Sequence, residues 1–176
     1  MAAANGIFLL AELDGEAGER IHALQRRFDP KLARRGRPHV TLAGSSGVGP
    51  LPPDVPVARL REALAPIAAS TPPLVLPFHA PERFPQTTIV VLPLDPYGPM
   101  RVLHDRIAAS GLPFPPAKFT FTPHVTMNFF RTHDADGWRA LLAERMDVPA
   151  EITTMRAYHT RDPQPARLLL ELALEG

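Results

Sequence analysis

The chain has 176 residues, of which 45% are hydrophobic and 21% are charged, as in an ordinary globular protein with a substantial core. Its formal net charge of +1 excludes a strong overall attraction to nucleic acid, so any contact with RNA has to be local. The absence of cysteine excludes disulfides, thiol catalysis and cysteine-based metal sites.

The N-terminal segment and the prolines indicate the broad organisation. Residues 1–13 lack the basic start of a signal peptide, and no apolar run reaches the length of a membrane span, so we expect a cytoplasmic protein. The 22 prolines cluster between the periodic segments, where they stiffen loops. Because no linker is long enough to separate independent domains, residues 1–176 are expected to form a single bilobal domain.

The first half of the chain alternates between apolar strand patterns and helices with one apolar face. Its predicted elements are, in chain order, a strand at Ile7–Leu13, a helix at Glu16–Phe28, a basic loop at Lys31–Arg37, a strand at Pro38–Ala43, a helix at Val57–Ala69, and two strands at Leu74–His79 and Thr87–Leu92 joined by a loop. In the first strand, Phe8 and Leu10 share a face. Pro66 is predicted to end or bend the second helix.

The second half follows the same order. Its predicted elements are a helix at Met100–Ala109, a rigid connector at Pro113–Pro116, an apolar segment at Phe119–Phe130, a helix at Gly137–Met146, and closing strands at Glu151–Thr160 and Arg167–Leu174. Because each half contains a strand, a helix and a further strand, the order predicts an α+β fold built by duplication. We expect two antiparallel sheets with outer helices around a central cleft, on a pseudo-two-fold axis.

The tetrapeptide Pro-His-Val-Thr occurs twice, at Pro38–Thr41 and at Pro123–Thr126. Residues i and i+2 of a β-strand point to the same face, so each histidine projects together with the threonine two residues later. If the two strands lie side by side, two imidazoles and two hydroxyls meet on one surface. The side chains predicted to form this site are His39, Thr41, His124 and Thr126.

This set of groups suits an in-line attack on a phosphate ester. Two imidazoles can share the roles of acid and base, because a pKa of about 6.5 allows one neutral and one protonated copy near neutral pH. Two hydroxyls add neutral donors for the phosphate oxygens. A single His-x-Thr on a strand is more often structural than catalytic, so it is the repeat, at a spacing suited to two half-domains, that favours an active site.

The two motifs, His39-Val40-Thr41-Leu42 and His124-Val125-Thr126-Met127, resemble those of the 2H phosphoesterase superfamily, and in particular its 2′-5′ RNA ligase, or LigT-like, group. The resemblance implies a bilobal fold and hydrolysis of cyclic phosphates or 2′-5′ phosphodiesters, often at RNA ends, without a metal or cofactor. It also implies that His39 is the acid and His124 the base, while the pseudo-symmetry of the two motifs leaves the opposite assignment open. Thr41 and Thr126 then donate hydrogen bonds to the non-bridging phosphate oxygens.

One position departs from the family pattern. LigT-like members often carry an arginine five residues after the second histidine, where this chain has Phe129. Arg131, two residues later, is the candidate replacement for that phosphate or RNA contact. The departure concerns the RNA substrate of the LigT group more than the phosphoesterase chemistry.

Three further features have both a functional and a structural interpretation. Phe8 either stacks on a base or packs in the core. Asn128 has the strand parity of the second motif, so it is a candidate to orient an imidazole or contact the ligand. The basic side chains of the loop before the first motif either attract a phosphate or are simply solvated; they are Lys31, Arg34, Arg35 and Arg37.

The leading hypothesis is a metal-independent cyclic phosphodiesterase that acts on nucleotide or RNA 2′,3′-cyclic phosphates or on 2′-5′ linkages. ADP-ribose 1″,2″-cyclic phosphate is the nearest competing substrate. The alternative from another class is a non-catalytic module that binds a nucleotide or RNA end in the same cleft. We expect the protein to be a monomer that binds a cyclic nucleotide or an RNA end and does not contact a membrane. Nothing in the sequence indicates a binding site for the activated donor that a ligation reaction would use.

Overall fold

The computed structural model describes residues 4–176, so the first three residues of the segment tested for a signal peptide lie outside the described residues. Residues 4–176 form nine strands: β1 Asn5–Glu12, β2 His39–Ala43, β3 Leu74–Leu76, β4 Glu82–Arg83, β5 Val90–Pro93, β6 His124–Asn128, β7 Ala150–Ile152, β8 Thr154–Arg161 and β9 Arg167–Ala173. The same part of the chain forms five helices: α1 Gly15–Phe28, α2 Pro30–Ala33, α3 Val57–Ala69, α4 Pro99–Ala108 and α5 Ala135–Ala143.

Seven of the strands form one antiparallel sheet in the order β4-β5-β6-β2-β1-β8-β9, and β3 pairs with β7 in a second, small antiparallel sheet. The predicted α+β fold with two antiparallel sheets is confirmed. The two halves of the chain nevertheless share the larger sheet, because both histidine-containing strands lie at its centre. The four strands β5-β6-β2-β1 are arranged symmetrically about the seam between β6 and β2.

The helices repeat this symmetry. In each half a helix connects the outer strand to the strand that contains the histidine: α1 lies between β1 and β2, and α4 between β5 and β6. Each helix then packs beside the histidine strand of the other half, α1 on β6 and α4 on β2. Gln25 of α1 donates a hydrogen bond of 2.8 Å to the backbone carbonyl of Thr126, which fixes α1 to the second motif.

The alternation of side chains along the two central strands separates a core face from an accessible face. Val40, Leu42, Val125 and Met127 are completely buried in one hydrophobic core that draws on both halves of the chain. The histidine and threonine of each motif are half-buried on the opposite face. The apolar residues of each motif therefore anchor the strand, and the polar ones are left for chemistry.

Two predicted strands differ from the structure because their partners are distant in sequence. The apolar run after α3 forms only the short β3, which pairs with β7 and not with β5. The segment predicted as one strand at Glu151–Thr160 is divided at Thr153 between the two sheets. Asp14 stabilises this change of sheet, since its carboxylate accepts hydrogen bonds from the Thr153 hydroxyl at 2.6 Å and backbone N–H at 3.2 Å.

Two local predictions also need correction. The basic segment predicted as a loop at Lys31–Arg37 contains helix α2, which is capped by Asp29 through a 3.1 Å hydrogen bond from the Leu32 N–H. Of the two effects predicted for Pro66, an end of the helix is wrong, because α3 continues to Ala69, and a bend stays a prediction. None of the helices within residues 4–176 is long and apolar enough to cross a membrane.

Candidate active site

The two His-x-Thr motifs lie directly opposite each other at the centre of the large sheet. Val40 of β2 pairs with Val125 of β6 in antiparallel register. In such a register the neighbouring residues also face each other, so each histidine lies across from the threonine of the other motif. The two cross-strand pairs are His39 with Thr126 and Thr41 with His124.

Each imidazole is oriented by the same backbone contact. The Nδ1 atom of His39 lies 2.8 Å from the carbonyl oxygen of Arg37, and Nδ1 of His124 lies 2.7 Å from the carbonyl oxygen of Thr122. A carbonyl only accepts hydrogen bonds, so both Nδ1 atoms carry a proton. Each Nε2 is therefore left to accept or donate a proton on the accessible face.

Both imidazoles favour the neutral form in the unliganded protein. Burial lowers the pKa of His39, and its backbone hydrogen bond and the negative charge of Glu12 offset only part of this effect. Burial also lowers the pKa of His124, and a positive charge on His39 lowers it further, against the opposing effects of its backbone hydrogen bond and of Glu82. An anionic group between the two rings would raise both pKa values again.

Glu12 is a nearly buried carboxylate on the site face of the sheet, 8% exposed, and it pairs across β1 and β2 with His39. One of its oxygens accepts a 2.6 Å hydrogen bond from the Tyr158 hydroxyl, and the other lies 2.8 Å from Arg156. Arg156 also contacts Glu171 at 2.6 Å. A fixed negative charge therefore lies next to the first motif.

The hydroxyl of Tyr158 donates a hydrogen bond to the Glu12 carboxylate over the whole neutral pH range. Burial and the hydrogen bond to Glu12 raise the pKa of Tyr158 to about 12. The phenol consequently stays protonated throughout the neutral pH range and keeps donating its hydrogen bond to Glu12.

The surroundings of His124 are different. Its ring makes an edge-on contact with Phe84, at a centroid separation of 5.4 Å and an interplanar angle of 86°. The nearest carboxylate that affects its pKa is that of Glu82, which is exposed to solvent. The pseudo-symmetric motifs thus lie in asymmetric environments: a buried carboxylate beside the first histidine, and an aromatic ring with an exposed carboxylate beside the second.

Phe8 lies on the site face beside the first motif. It pairs with Tyr158 across β1 and β8, and its ring packs against the chain at Gly44. A Cβ atom on Gly44 would lie 2.7 Å from the Thr41 methyl and 2.9 Å from the Phe8 ring, so glycine is required for this close approach. The half-buried ring of Phe8 leaves part of its surface available next to Thr41.

Asn128 and Arg131 lie away from the imidazoles. Asn128 is completely buried, and its amide is used within the protein: it donates to the carbonyls of Thr88 and Arg131 and accepts from His133. These hydrogen bonds fix the turn after β6. The Arg131 guanidinium lies about 3.5 Å from the last carbonyls of α1, and none of its hydrogen bonds within the described residues reaches either motif.

Within residues 4–176 no three or more His, Asp or Glu side chains lie together as metal ligands would. The residues predicted from the two motifs are brought together. Glu12 and Phe84 were missed. The parity of Glu12 with Phe8 and Leu10 was a usable signal, because a charged residue ends an otherwise apolar face; the contact of Phe84 depends on a loop and left no signal in the sequence.

A model of the 2′-5′ RNA ligase superfamily matches residues 13–163. No curated protein matches the sequence. Among solved structures, E. coli LigT complexed with 3′-AMP is 19% identical, with a TM-score of 0.56 over 98% of this chain and 99% of that one. TT0787 of Thermus thermophilus is 15% identical, with a TM-score of 0.63 over 97% and 98% of the two chains. A phosphoesterase is 18% identical, with a TM-score of 0.57 over 98% and 99%. These structures are similar to the chain in fold.

Proposed function

This chain belongs to the 2′-5′ RNA ligase superfamily, and on that premise we propose that it is a metal-independent cyclic phosphodiesterase that opens the 2′,3′-cyclic phosphates of nucleotides or RNA ends. The observation that carries the proposal is the pair of His-x-Thr motifs on adjacent central strands, in register. Both Nδ1 atoms are bound to backbone carbonyls, and neither Nε2 atom makes a hydrogen bond within residues 4–176. Hydrolysis of 2′-5′ linkages, and their formation in reverse, needs the same groups.

In the proposed reaction His124 is the base and His39 the acid. The neutral Nε2 of His124 accepts a proton from a water molecule, whose oxygen forms a bond to phosphorus. The bond from phosphorus to one ribose oxygen breaks on the opposite side, and the protonated Nε2 of His39 donates its proton to that oxygen. The products are a phosphomonoester and a free ribose hydroxyl, and both imidazoles return to their starting forms by exchange with solvent.

The electrostatic asymmetry of the site supports this assignment. The carboxylate of Glu12 is nearly buried, so its charge acts on His39 through a medium of low dielectric and favours the protonated ring. The corresponding charge near His124, on Glu82, is exposed and screened by water. We therefore assign the acid role to the histidine beside the buried carboxylate and the base role to the other.

The remaining groups on the face would hold the substrate. Thr41 and Thr126, each across from an imidazole, donate hydrogen bonds to the non-bridging phosphate oxygens as negative charge grows there. The accessible part of the Phe8 ring, next to Thr41, stacks on the base. The complex of E. coli LigT with 3′-AMP adds support, because that ligand carries a phosphate at the same ribose edge. Monomeric state and cytoplasmic location stay predictions.

The proposal is tested by the turnover of 2′,3′-cyclic AMP in the presence of EDTA. We expect hydrolysis to a single phosphomonoester isomer, which identifies the leaving oxygen. Since positioned acids and bases each contribute about 10²–10⁴-fold, His39→Ala and His124→Ala should each lose at least about a hundredfold in kcat. His159→Ala is the matched control, because His159 lies on β8 of the same sheet and its side chain hydrogen-bonds only to Asn5 within residues 4–176.

Loss of turnover on addition of EDTA would contradict the metal-independent reaction. Saturable binding of the cyclic nucleotide without any turnover would instead favour the non-catalytic binding module. Full activity in either alanine variant would exclude the two-histidine mechanism.

A further inference from the structure

The positive charge of the chain is concentrated in one segment. Residues 26–37 contain six of the 19 Lys and Arg residues and one acidic residue, so they carry a net charge of +5. The whole chain carries +1, and the other 164 residues therefore carry −4. The single acidic residue of the segment, Asp29, is 1% exposed, and its carboxylate accepts hydrogen bonds from backbone N–H groups. The charge that the segment presents to solvent is therefore positive.

Most of these cations have no acidic partner. Arg27 and Arg37 pair with Glu144 and Glu19 respectively. The other exposed cations of α2 and the turn after it are free of ion pairs within residues 4–176, namely Lys31, Arg34 and Arg35. Unpaired charges of one sign, grouped together, attract a polyanion.

Two aromatic rings complete the surface. The ring of Phe130 is flanked by the Lys31 ammonium at 4.3 Å and the Arg35 guanidinium at 4.8 Å. Phe129 contacts Phe130 edge-on at 4.9 Å and remains 39% exposed. We call the group Lys31, Arg34, Arg35, Phe129 and Phe130 the basic–aromatic surface.

The basic–aromatic surface lies next to the two-histidine site at the ends of both central strands. Residues 34–37 lead directly into β2, and the carbonyl of Arg37 is the one that orients His39. Phe129 follows directly on the last residue of β6. Four steps of the chain separate Phe130 from Thr126, so their Cα atoms lie within about 14 Å of each other. The surface therefore adjoins the end of the seam at which His39 and Thr126 face each other.

We propose that the basic–aromatic surface binds the single-stranded RNA on which the cyclic phosphate is carried, so that RNA ends, and not free cyclic nucleotides, are the substrate. This inference rests on the proposed function. Phosphates upstream of the reacting end contact Lys31, Arg34 and Arg35, and a base stacks on the exposed face of Phe129. Cations that follow a backbone beside an aromatic platform are the arrangement that binds single strands without reading their sequence.

The first measurement compares kcat/KM for 2′,3′-cyclic AMP with that for an adenosine hexanucleotide ending in a cyclic phosphate. The hexanucleotide should be preferred at least tenfold at low salt. Each phosphate contact contributes about −0.7 to the slope of log affinity against log salt for a single strand, so three contacts predict a slope of roughly −2 for the hexanucleotide. The mononucleotide should depend much less on salt.

The variant Lys31→Glu/Arg35→Glu should reduce the preference for the hexanucleotide by at least tenfold, and Phe129→Ala should also reduce it. The control Arg61→Glu/Arg167→Glu makes the same change of charge at two exposed residues of α3 and β9 that have no acidic partner within residues 4–176. It should keep the preference. An unchanged preference in the first variant would overturn the inference.

A binding measurement separates this inference from the proposed function. The His124→Ala variant, with and without the Lys31→Glu/Arg35→Glu change, is titrated into a fluorescent hexanucleotide ending in a 3′-phosphate. Weaker binding on charge reversal supports the surface even if no substrate is turned over. Equal binding of the two proteins overturns it even if cyclic AMP is hydrolysed. Equally tight binding of an oligoglutamate peptide of the same charge would overturn the assignment to RNA.

Discussion

At the scale of single residues, what distinguishes the two histidines is the carboxylate beside each one. Their Pro-His-Val-Thr tetrapeptides are identical and their Nδ1 contacts are equivalent, so nothing within the tetrapeptides separates acid from base. Glu12 separates them, because its charge is nearly buried, is held by Tyr158 and Arg156, and faces His39 across the strand pair. In the proposed mechanism, neighbours outside the motifs therefore assign the two roles.

Replacement of Glu12 by Gln tests this role through the pH dependence of kcat/KM. The substitution removes the negative charge that favours the protonated His39, so the pKa of His39 falls further below its ordinary value. An acid is competent only below its pKa, and the basic limb of the profile should therefore move to lower pH. Activity above neutrality should fall severalfold, while activity at low pH is retained.

The matched control is Glu82→Gln, which removes the charge near His124. A lower pKa of the base extends its neutral form to lower pH, so the acidic limb should move and the basic limb should stay. If Glu12→Gln moved the acidic limb instead, the roles of the two histidines would be exchanged. If neither limb moved in Glu12→Gln, the carboxylate would have no electrostatic role.

At the scale of secondary-structure elements, Asp29 joins three segments that the two-histidine site and the basic–aromatic surface depend on. It follows α1, caps α2 through the Leu32 N–H, and accepts the N–H groups of Phe129 and Phe130 at 2.8 and 2.7 Å. Burial alone would raise the pKa of Asp29, but these backbone donors outweigh it and hold the pKa below the ordinary value. The ionised carboxylate is therefore the form that stabilises the fold.

Asp29→Asn should lower the free energy of unfolding by about 2–3 kcal/mol at pH 7, since hydrogen bonds to a charged acceptor are replaced by bonds to a neutral one. The folded-state pKa is depressed, so the difference from the parent is complete above the unfolded-state pKa. It disappears as the pH falls through the folded-state pKa. Urea unfolding of both proteins between pH 7 and pH 2 measures this dependence.

Asp54→Asn is the matched control, because Asp54 is exposed and makes no side-chain hydrogen bond within residues 4–176. It should unfold like the parent. An Asp29→Asn protein with the parental urea midpoint at pH 7 would show that the backbone donors find other acceptors.

The elements that sequence periodicity predicts are those with local signals. The helices Glu16–Phe28 and Val57–Ala69 show apolar residues at helical spacing, and α1 and α3 lie at nearly those positions. The pairing of β3 with β7 was not predictable in this way, because it joins residues as far apart in the sequence as Leu74 and Ile152. Alternation indicates that a strand exists but not which strand it pairs with.

Alternation along the strands was also only a partial guide to the residues of the active site. Strand parity predicted that His39 and Thr41 share a face, but also placed Asn128 with the second motif, where the structure has it fully buried. The register of β6 against β5 shifts between Val90 and Val91, next to Asn128, so simple parity does not hold to the end of the strand. Contacts made by loops, such as that of Phe84 with His124, leave no periodic trace.

At the scale of the whole molecule, the duplication places both histidine strands at the centre of one sheet, and each is supported by a helix from the other half. The predicted α+β fold and the family indicated by the two motifs are confirmed. The shared sheet matters because it fixes the two motifs in a single register, whereas separate sheets would leave their spacing to the contact between lobes. Preorganisation of this kind is what a two-group acid/base reaction requires.

The central claim is that two neighbouring histidines act as base and acid, and the pH dependence of kcat/KM for 2′,3′-cyclic AMP tests it most directly. The base works only above its pKa and the acid only below, so the profile should be bell-shaped, with apparent pKa values that belong to the pair. Burial lowers the pKa of both rings below the usual value of about 6.5, and the maximum should therefore lie on the acid side of neutrality. A rate that rises with pH to a plateau, with no basic limb, would contradict the account.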